Sequence, residues 1–532
     1  MKLRWKEQTR AQKLAIIASG ALFGCVLLGI ITFVIFCMDN LMHSDMSAEV
    51  LLSKLLSDQN RLITKDWYYS TEIRIVYTQL IMAPLFKLMH SYQLVKQTSV
   101  FICLILLAYA FVFVMKRFDT KLSVMLFGLA LLFAPVSNEY FDMQLVGNFY
   151  TAQTVCTFMV LTFFLGKREG KRKVIVHYVA ACVWGIVMGL SGLRYPASLY
   201  VPMVLAAFAY LSEKETLLSE LRQDVKRALA AMEIGIYALV SLMGAGIGFL
   251  IHKFYLAPNY SFDTKVVRFV PLDEVPERFL QSIKLMLAFV GYREANVMTP
   301  MGVVNVLGFL FLLFLVTVVV CLFRKRKMLS DKERILLYYF LATFSINWYL
   351  LVFTDVLLQY RYWLPVYIVA ILLVCIYFSK TDIGGALAKV LGIMLTGLVI
   401  LGSLYAELLQ DMKYNDCEKR YAYMAFLEQN DYDFGYASFW NASVSEYLSN
   451  GEIKFASLGL NDFTKPYDWL LPKAYYEEGF HRGKCFLLLA NTEAAGMDKG
   501  DFVIMEDAVK VYTDEFYTIY EGQQDMYILD EE

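Results

Sequence analysis

Charge is scarce in this 532-residue sequence. Only 19% of its residues are Asp, Glu, Lys or Arg, against roughly 25% in an ordinary soluble domain. It also lacks the short signatures of several common enzymes. There is no GxxxxGK[ST], no GxSxG, no HExxH and no GxGxxG opening a helix, so P-loop, serine-hydrolase, zinc-protease and dinucleotide frameworks are set aside. Without a nucleotide cradle, an activated substrate is expected to arrive through the membrane. Nor do the nine cysteines show metal or disulfide spacing. Seven lie in or beside apolar runs, where cysteine acts as a small hydrophobe. Cys417 and Cys485, in a polar region, are expected as thiols rather than a bridge.

Apolar sequence takes the place of charge. The chain is 58% hydrophobic and 15% aromatic, with a mean hydropathy of +0.49. The apolar residues form eleven runs, at 14–38, 98–115, 122–136, 150–165, 174–190, 198–211, 231–251, 301–323, 335–353, 363–378 and 385–406. Blocks of this length are membrane-span behaviour. The first run follows the basic leader MKLRWKEQTRAQK, is too long for a signal-peptide core and ends in Asp39. It reads as an uncleaved helix with a cytoplasmic N-terminus.

Loop charge alternates accordingly. KRFDTK, GKREGKRK, SEKETLLSELRQDVKR and FRKRKMLSDKER are dense in Lys and Arg, whereas SNEYFDMQLVGNF on the other side has none. An odd span number then puts the C-terminal region outside. That region is acidic: from Asp411 onward it holds 24 acidic and 10 basic residues, a net of −14, while the preceding residues hold 26 and 39, a net of +13.

The expected fold is therefore mainly α, a polytopic membrane bundle of about eleven transmembrane helices with a small C-terminal extracytoplasmic α/β domain. Residues 1–409 form the membrane module, with outer loops 39–97 and 252–300, and residues 410–532 form the outer domain. In the first loop, Ile73 to Met89 carries Arg74, Pro84 and Lys87 and reads as an interfacial or re-entrant helix. EVPERFLQSIKLMLAFVGY in the second reads as a surface helix. In the outer domain, CEKRYAYMAFLEQN and VSEYLSNG have helical spacing. FGYASFW, EIKFASL, KCFLLLAN, DFVIM and VKVYTDEFYTIY read as strands.

Ionisable groups at the rim of a membrane bundle are functional candidates by default. Asp45 and Glu49 stand four apart in the first loop, so a helix puts both carboxylates on one face. Glu139 and Asp142 follow the third run, and Arg361 stands in QYRYWLP before the tenth. Plainer readings stand beside each: a solvated helix face, charges that hold a loop outside, and a snorkelling interfacial anchor. The rings of the outer domain (Tyr436, Phe439, Trp440, Tyr447, Trp469) suit a platform on which a sugar acceptor stacks, with Trp440 and Trp469 as its binding residues. A place in the domain's own core is the alternative. Asn441-Ala-Ser and Asn259-Tyr-Ser match glycosylation sequons.

Three short motifs together resemble the C-type superfamily of integral-membrane glycosyltransferases. They are HSDMSAE after the first helix, NEYFD after the third, and RYWLP near a late helix. An outer α/β region after the last helix completes the likeness. Many members carry an adjacent Asp-Glu or an Asp-x-Asp in the first loop; here the second acid is Glu49. The resemblance implies transfer of a sugar from a polyprenyl-phosphate carrier to a glycan, lipid or protein acceptor, in a bacterial cell membrane and with no nucleic acid involved. It assigns catalysis to Asp45 with Glu49, and the lipid phosphate to Arg361 and Tyr362. Glu139 and Asp142 become a second acidic site or a seat for a divalent cation, Mg or Mn, though no residue pattern requires one. The rival class is a transporter or flippase for a lipid-linked glycan, which more often shows broken helices in two similar halves.

Overall fold

Each of the eleven apolar runs is helical. A computed structural model describes residues 8–166, 171–213, 232–262, 267–459, 465–495 and 508–522. The chain starts with α1 (Arg10–Phe36) and α2 (Ser44–Gln59), then passes β1 (Trp67–Tyr68) and α3 (Gln79–Leu85) to α4 (Tyr92–Met115) and α5 (Leu122–Phe133). Next come α6 (Asn138–Val146), α7 (Thr151–Phe164), α8 (Lys171–Gly189), α9 (Pro196–Ser212) and α10 (Glu233–Ile251). The helix α11 (Val275–Phe289) precedes α12 (Pro300–Arg324), α13 (Asp331–Phe353), α14 (Leu364–Ser379) and α15 (Ala386–Ser403).

Among the described residues, α1, α4, α10, α12, α13, α14 and α15 are long and apolar enough to cross a membrane. The other four runs are apolar but interrupted or short. α5 and α6 would make one more span, but they bend by 102°. The cause is local: Ala134 precedes Pro135 and is pushed to an extended ψ of 128°, which ends α5. α7, α8 and α9 are shorter apolar helices. Among the described residues, seven of the expected eleven spans are long enough to cross a membrane, or eight if the bent pair is one span. The expected helix at 73–89 shrinks to the seven residues of α3, with Pro84 inside. The surface helix of the second loop is present as α11.

The chain divides into two compact units. The first, residues 1–34, 103–252 and 266–410, holds most of the apolar helices. α14 is buried at nearly every position from Leu364 to Tyr377, as a helix hydrophobic all round must be. α8 and α10 approach backbone to backbone. A Cβ on Gly189 would strike the Ala245 carbonyl, and one on Gly248 the Ile186 carbonyl, so only glycine permits this crossing.

The second unit combines residues 35–102, 253–265 and 411–532. The first outer loop therefore folds with the C-terminal region, not with the apolar helices. After α16 (Glu418–Gln429) come β2 (Phe434–Ser438), α17 (Phe439–Leu448), β3 (Lys454–Leu458), β4 (Leu471–Pro472), β5 (Cys485–Ala490), β6 (Val509–Thr513) and β7 (Tyr517–Gly522). Five strands form one sheet in the order β3-β2-β5-β7-β6. The first three run parallel, and β7 lies antiparallel between β5 and β6. Tyr423, Leu427, Phe455 and Phe486 fill one face, and Tyr436, Leu458, Tyr475 and Leu487 the other. β4 pairs with β1 of the first loop, Trp67 opposite Pro472.

Three strand expectations change. FGYASFW ends as a strand at Ser438, and its Phe439 and Trp440 open α17. VKVYTDEFYTIY is a hairpin of β6 and β7 rather than one strand, because Asp514 Oδ1 accepts from the amides of Phe516 and Tyr517 and turns the chain. DFVIM lies outside the described residues. Cys417 and Cys485 are buried and form no disulfide. Asn441 is also buried, accepting from Arg420 and Tyr517, which denies its sequon a glycan.

Two predictions follow from this packing. Gly189→Val should push α8 off α10 and lower the thermal unfolding midpoint of the detergent-solubilised chain, since overpacking costs about 1–3 kcal/mol or more. Gly246→Ala, with no atom near its added methyl, should be neutral; equal midpoints for both would contradict this crossing. The second concerns Asp416. Burial raises its pKa, but hydrogen bonds from Lys419 (2.6 Å) and Arg420 (2.9 Å) prevail and hold it at about 2. A carboxylate depressed below its unfolded value of about 4 adds stability above that pH and loses it as pH falls toward 2. The midpoint gap between wild type and Asp416→Asn should therefore be full at pH 6 and shrink by pH 3. A gap that does not vary with pH would contradict the assignment.

Candidate active site

In the second unit, the acids of the first loop stand on α2. The helix begins after His43 in extended backbone and ends at Asn60, whose left-handed φ of 52° caps it. Asp45 lies in its first turn, where a negative charge meets the positive end of the helix dipole. Glu49, one turn on, is buried. Arg74 Nη1 lies 3.5 Å from Glu49 Oε1, and its Nε lies 3.5 Å from Glu72 Oε1. The same guanidinium donates to the Tyr77 hydroxyl at 2.8 Å and lies over that ring. Arg74 is a site residue that sequence reasoning did not single out. An arginine in a loop expected to lie on a membrane surface was its signal.

In the first unit, Arg361 Nη1 stands 3.4 Å from Glu139 Oε1 and 4.0 Å from Met143 Sδ. Two residues read separately from sequence thus meet, with Asp142 close enough to act on Glu139. The tyrosine that hydrogen-bonds Glu139 is Tyr360. Tyr362, expected at the phosphate, is half-buried two residues further on. A second pair accompanies them: Arg293 donates to Glu407, just past α15, and both act on Tyr360. Neither Arg293 nor Glu407 was foreseen, since 114 positions separate them.

The three pairs share an asymmetry. Side-chain exposure is 23% for Arg74 against 10% for Glu49, 29% for Arg361 against 13% for Glu139, and 39% for Arg293 against 1% for Glu407. In each the acid is the more buried partner and the guanidinium the more exposed one. A forked donor held this way can take a further anion. A metal fits less well, because Glu49 and Glu139 already face guanidinium groups. Among the described residues no cluster of three or more His, Cys, Asp or Glu could hold a metal ion.

The rings of the C-terminal region divide. Tyr436, Phe439 and Tyr447 are core, while Trp440 is 52% exposed and Trp469 half-buried. Phe439 joins them: its ring centroid is 5.0 Å from Trp440 and 5.5 Å from Tyr467, and Tyr467 stacks on Trp469 at 6.2 Å.

Removing Arg74 leaves Glu49 buried without this cation, and breaking a buried pair costs about 3–5 kcal/mol. Arg74→Met should lower the unfolding midpoint sharply, and Glu49→Gln in the same chain should restore part of it. Strictly additive losses would show that the pair carries no coupling.

No family model matches this chain, and no curated protein matches its sequence. Its structure is similar to the crystal structure of ArnT from Cupriavidus metallidurans bound to undecaprenyl phosphate. The TM-score is 0.50 at 11% identity, over 94% of this chain and 97% of that one. The chain thus shares the polytopic fold of that protein, and a C-terminal α/β region follows its apolar helices.

Proposed function

We propose that the chain is a membrane glycosyltransferase that moves a sugar from a polyprenyl-phosphate carrier to a hydroxyl of an extracytoplasmic glycan, lipid or protein. The observation that carries this reading is the outward guanidinium of Arg361, anchored by Glu139 at the head of the most deeply buried apolar helix. A cation held at such a place suits a lipid phosphate whose chain lies in the membrane. The ArnT fold, seen with undecaprenyl phosphate bound, supports the same class of donor.

In this reading Asp45 takes the proton of the acceptor hydroxyl. The acceptor oxygen bonds to the anomeric carbon of the sugar, and the bond from that carbon to the phosphate oxygen breaks. Its electron pair leaves with the lipid phosphate, whose added negative charge Arg361 stabilises. One direct displacement inverts the anomeric centre. Glu49 acts through Arg74 and shapes the α2 face. The strip from Trp440 to Trp469 offers ring faces to the acceptor. No step is given to a metal. The N-terminus is cytoplasmic, and the acidic region beyond Asp411 is outside.

Asp45→Asn keeps the shape and loses the base, so turnover with an undecaprenyl-phosphate sugar should fall about 10²–10⁴-fold, with donor binding little changed. Arg361→Lys keeps the charge but loses the fork, and should weaken donor binding instead. Near-normal turnover of purified Asp45→Asn would remove α2 from the chemistry.

A further inference from the structure

Charge pairing accounts for the buried acids but not for a patch of neutral polar side chains where α6 turns into α7. Its residues are Gln144, Asn148, Thr151, Gln153 and Thr154, all on the inside of an apolar unit and all 5% exposed or less. The second half of α6, Phe141–Val146, is wound as a π-helix, a form frequent at functional sites. Asn148 takes a left-handed φ of 66°. Its Nδ2 donates to the carbonyls of Gln144 (3.5 Å) and Leu145 (3.2 Å) and to Thr151 Oγ1 (3.1 Å). Thr154 donates to Gln144 Oε1 at 3.1 Å, and Gln153 Nε2 donates to Ser198 Oγ at 2.9 Å at the start of α9.

These bonds fix three amides and leave one atom of each over. Gln144 Nε2, Asn148 Oδ1 and Gln153 Oε1 are buried and make no hydrogen bond to any described residue. Turning Gln144 or Gln153 over exchanges which atom remains, not how many. Turning Asn148 over would set its oxygen against two carbonyls. Leaving buried polar atoms unpaired is costly, so such a set calls for a partner. As placed, the set is one donor and two acceptors, none charged, and Asn148 Oδ1 is an acceptor in either arrangement. A phosphate would call for donors alone and a cation for acceptors alone, whereas a hydroxyl both gives and takes.

We propose that Gln144, Asn148 and Gln153 read hydroxyl groups of the donor sugar and so decide which sugar is transferred. The inference rests on the function proposed above. α6 then carries the acid that anchors Arg361 at its start and Gln144 at its end, with Asn148 in the turn that follows and Gln153 on α7. Discrimination of this kind is strong because a sugar with a hydroxyl in the wrong place leaves a buried amide unpaired.

The test is binding to the full chain in nanodiscs, using undecaprenyl phosphate alone and undecaprenyl phosphate carrying glucose, galactose or mannose. Wild type should separate the three epimers by about tenfold or more. Gln144→Met and Gln153→Met, close in shape but without amides, should narrow that spread to about threefold while binding bare undecaprenyl phosphate as wild type does. Thr154→Val, which releases Gln144 Oε1 without added bulk, reads the same spread if Gln144→Met does not fold. A wild type blind to the epimers, an unchanged spread in the variants, or equal loss of bare and sugar-bearing lipid would each overturn the inference alone. Failure of wild type to bind bare undecaprenyl phosphate would remove the proposed function and this inference together.

Discussion

An ionised group withdrawn from water must be matched, and in this chain that requirement shapes every candidate site. Glu49, Glu139, Glu333 and Glu407 each face a cation: Arg74, Arg361, Lys380 and Arg293. The Glu333 pair is structural, since the same carboxylate also accepts from the Ser330 amide and completes the cap of α13. In all four the cation is the more exposed partner, and the three arginine pairs differ in presenting a guanidinium fork. A buried pair adds little net stability over apolar packing. Each arginine beside its acid presents a fork whose geometry fits an anion.

The second unit gathers sequence from three places. β1 has two residues, and so does β4, its partner some 400 positions later. α2 carries Asp45 and packs against α17. Asp39, at the end of the first apolar helix, accepts from Gln93 at 2.9 Å and pairs with Tyr447. Burial raises its pKa against the opposing Tyr447 bond. The loop that bears the proposed base is therefore held by tertiary bonds, not by its own propensity.

Periodicity and run length made the helices legible, because an apolar stretch that must satisfy its backbone internally has few other choices. Position on a helix was legible too: the spacing of Asp45 and Glu49 does put both on α2. What a span can be was less so, since Pro135 breaks one run within an otherwise unbroken apolar stretch. Pairing between distant residues left no trace in one sequence. Glu139 and Arg361 stood out only as separate charges in apolar surroundings, and Glu407 not at all. Tyr436, Phe439 and Tyr447 looked like a binding surface because ring composition does not report burial; Trp440 is the one on the outside. The two-residue strands and the turn at Asp514 are set by a few hydrogen bonds, too short a signal for pattern reading.

Transfer and transport make opposite claims about one bond, that between the sugar and the carrier phosphate. The deciding measurement follows undecaprenyl-phosphate hexose, labelled in the sugar, in proteoliposomes containing the purified chain and supplied with a cell-envelope extract as acceptor. Glycosyl transfer predicts that label leaves the lipid for the extract while free undecaprenyl phosphate accumulates in equal amount. Label that crosses the bilayer still attached to its lipid, with no undecaprenyl phosphate released, would contradict it.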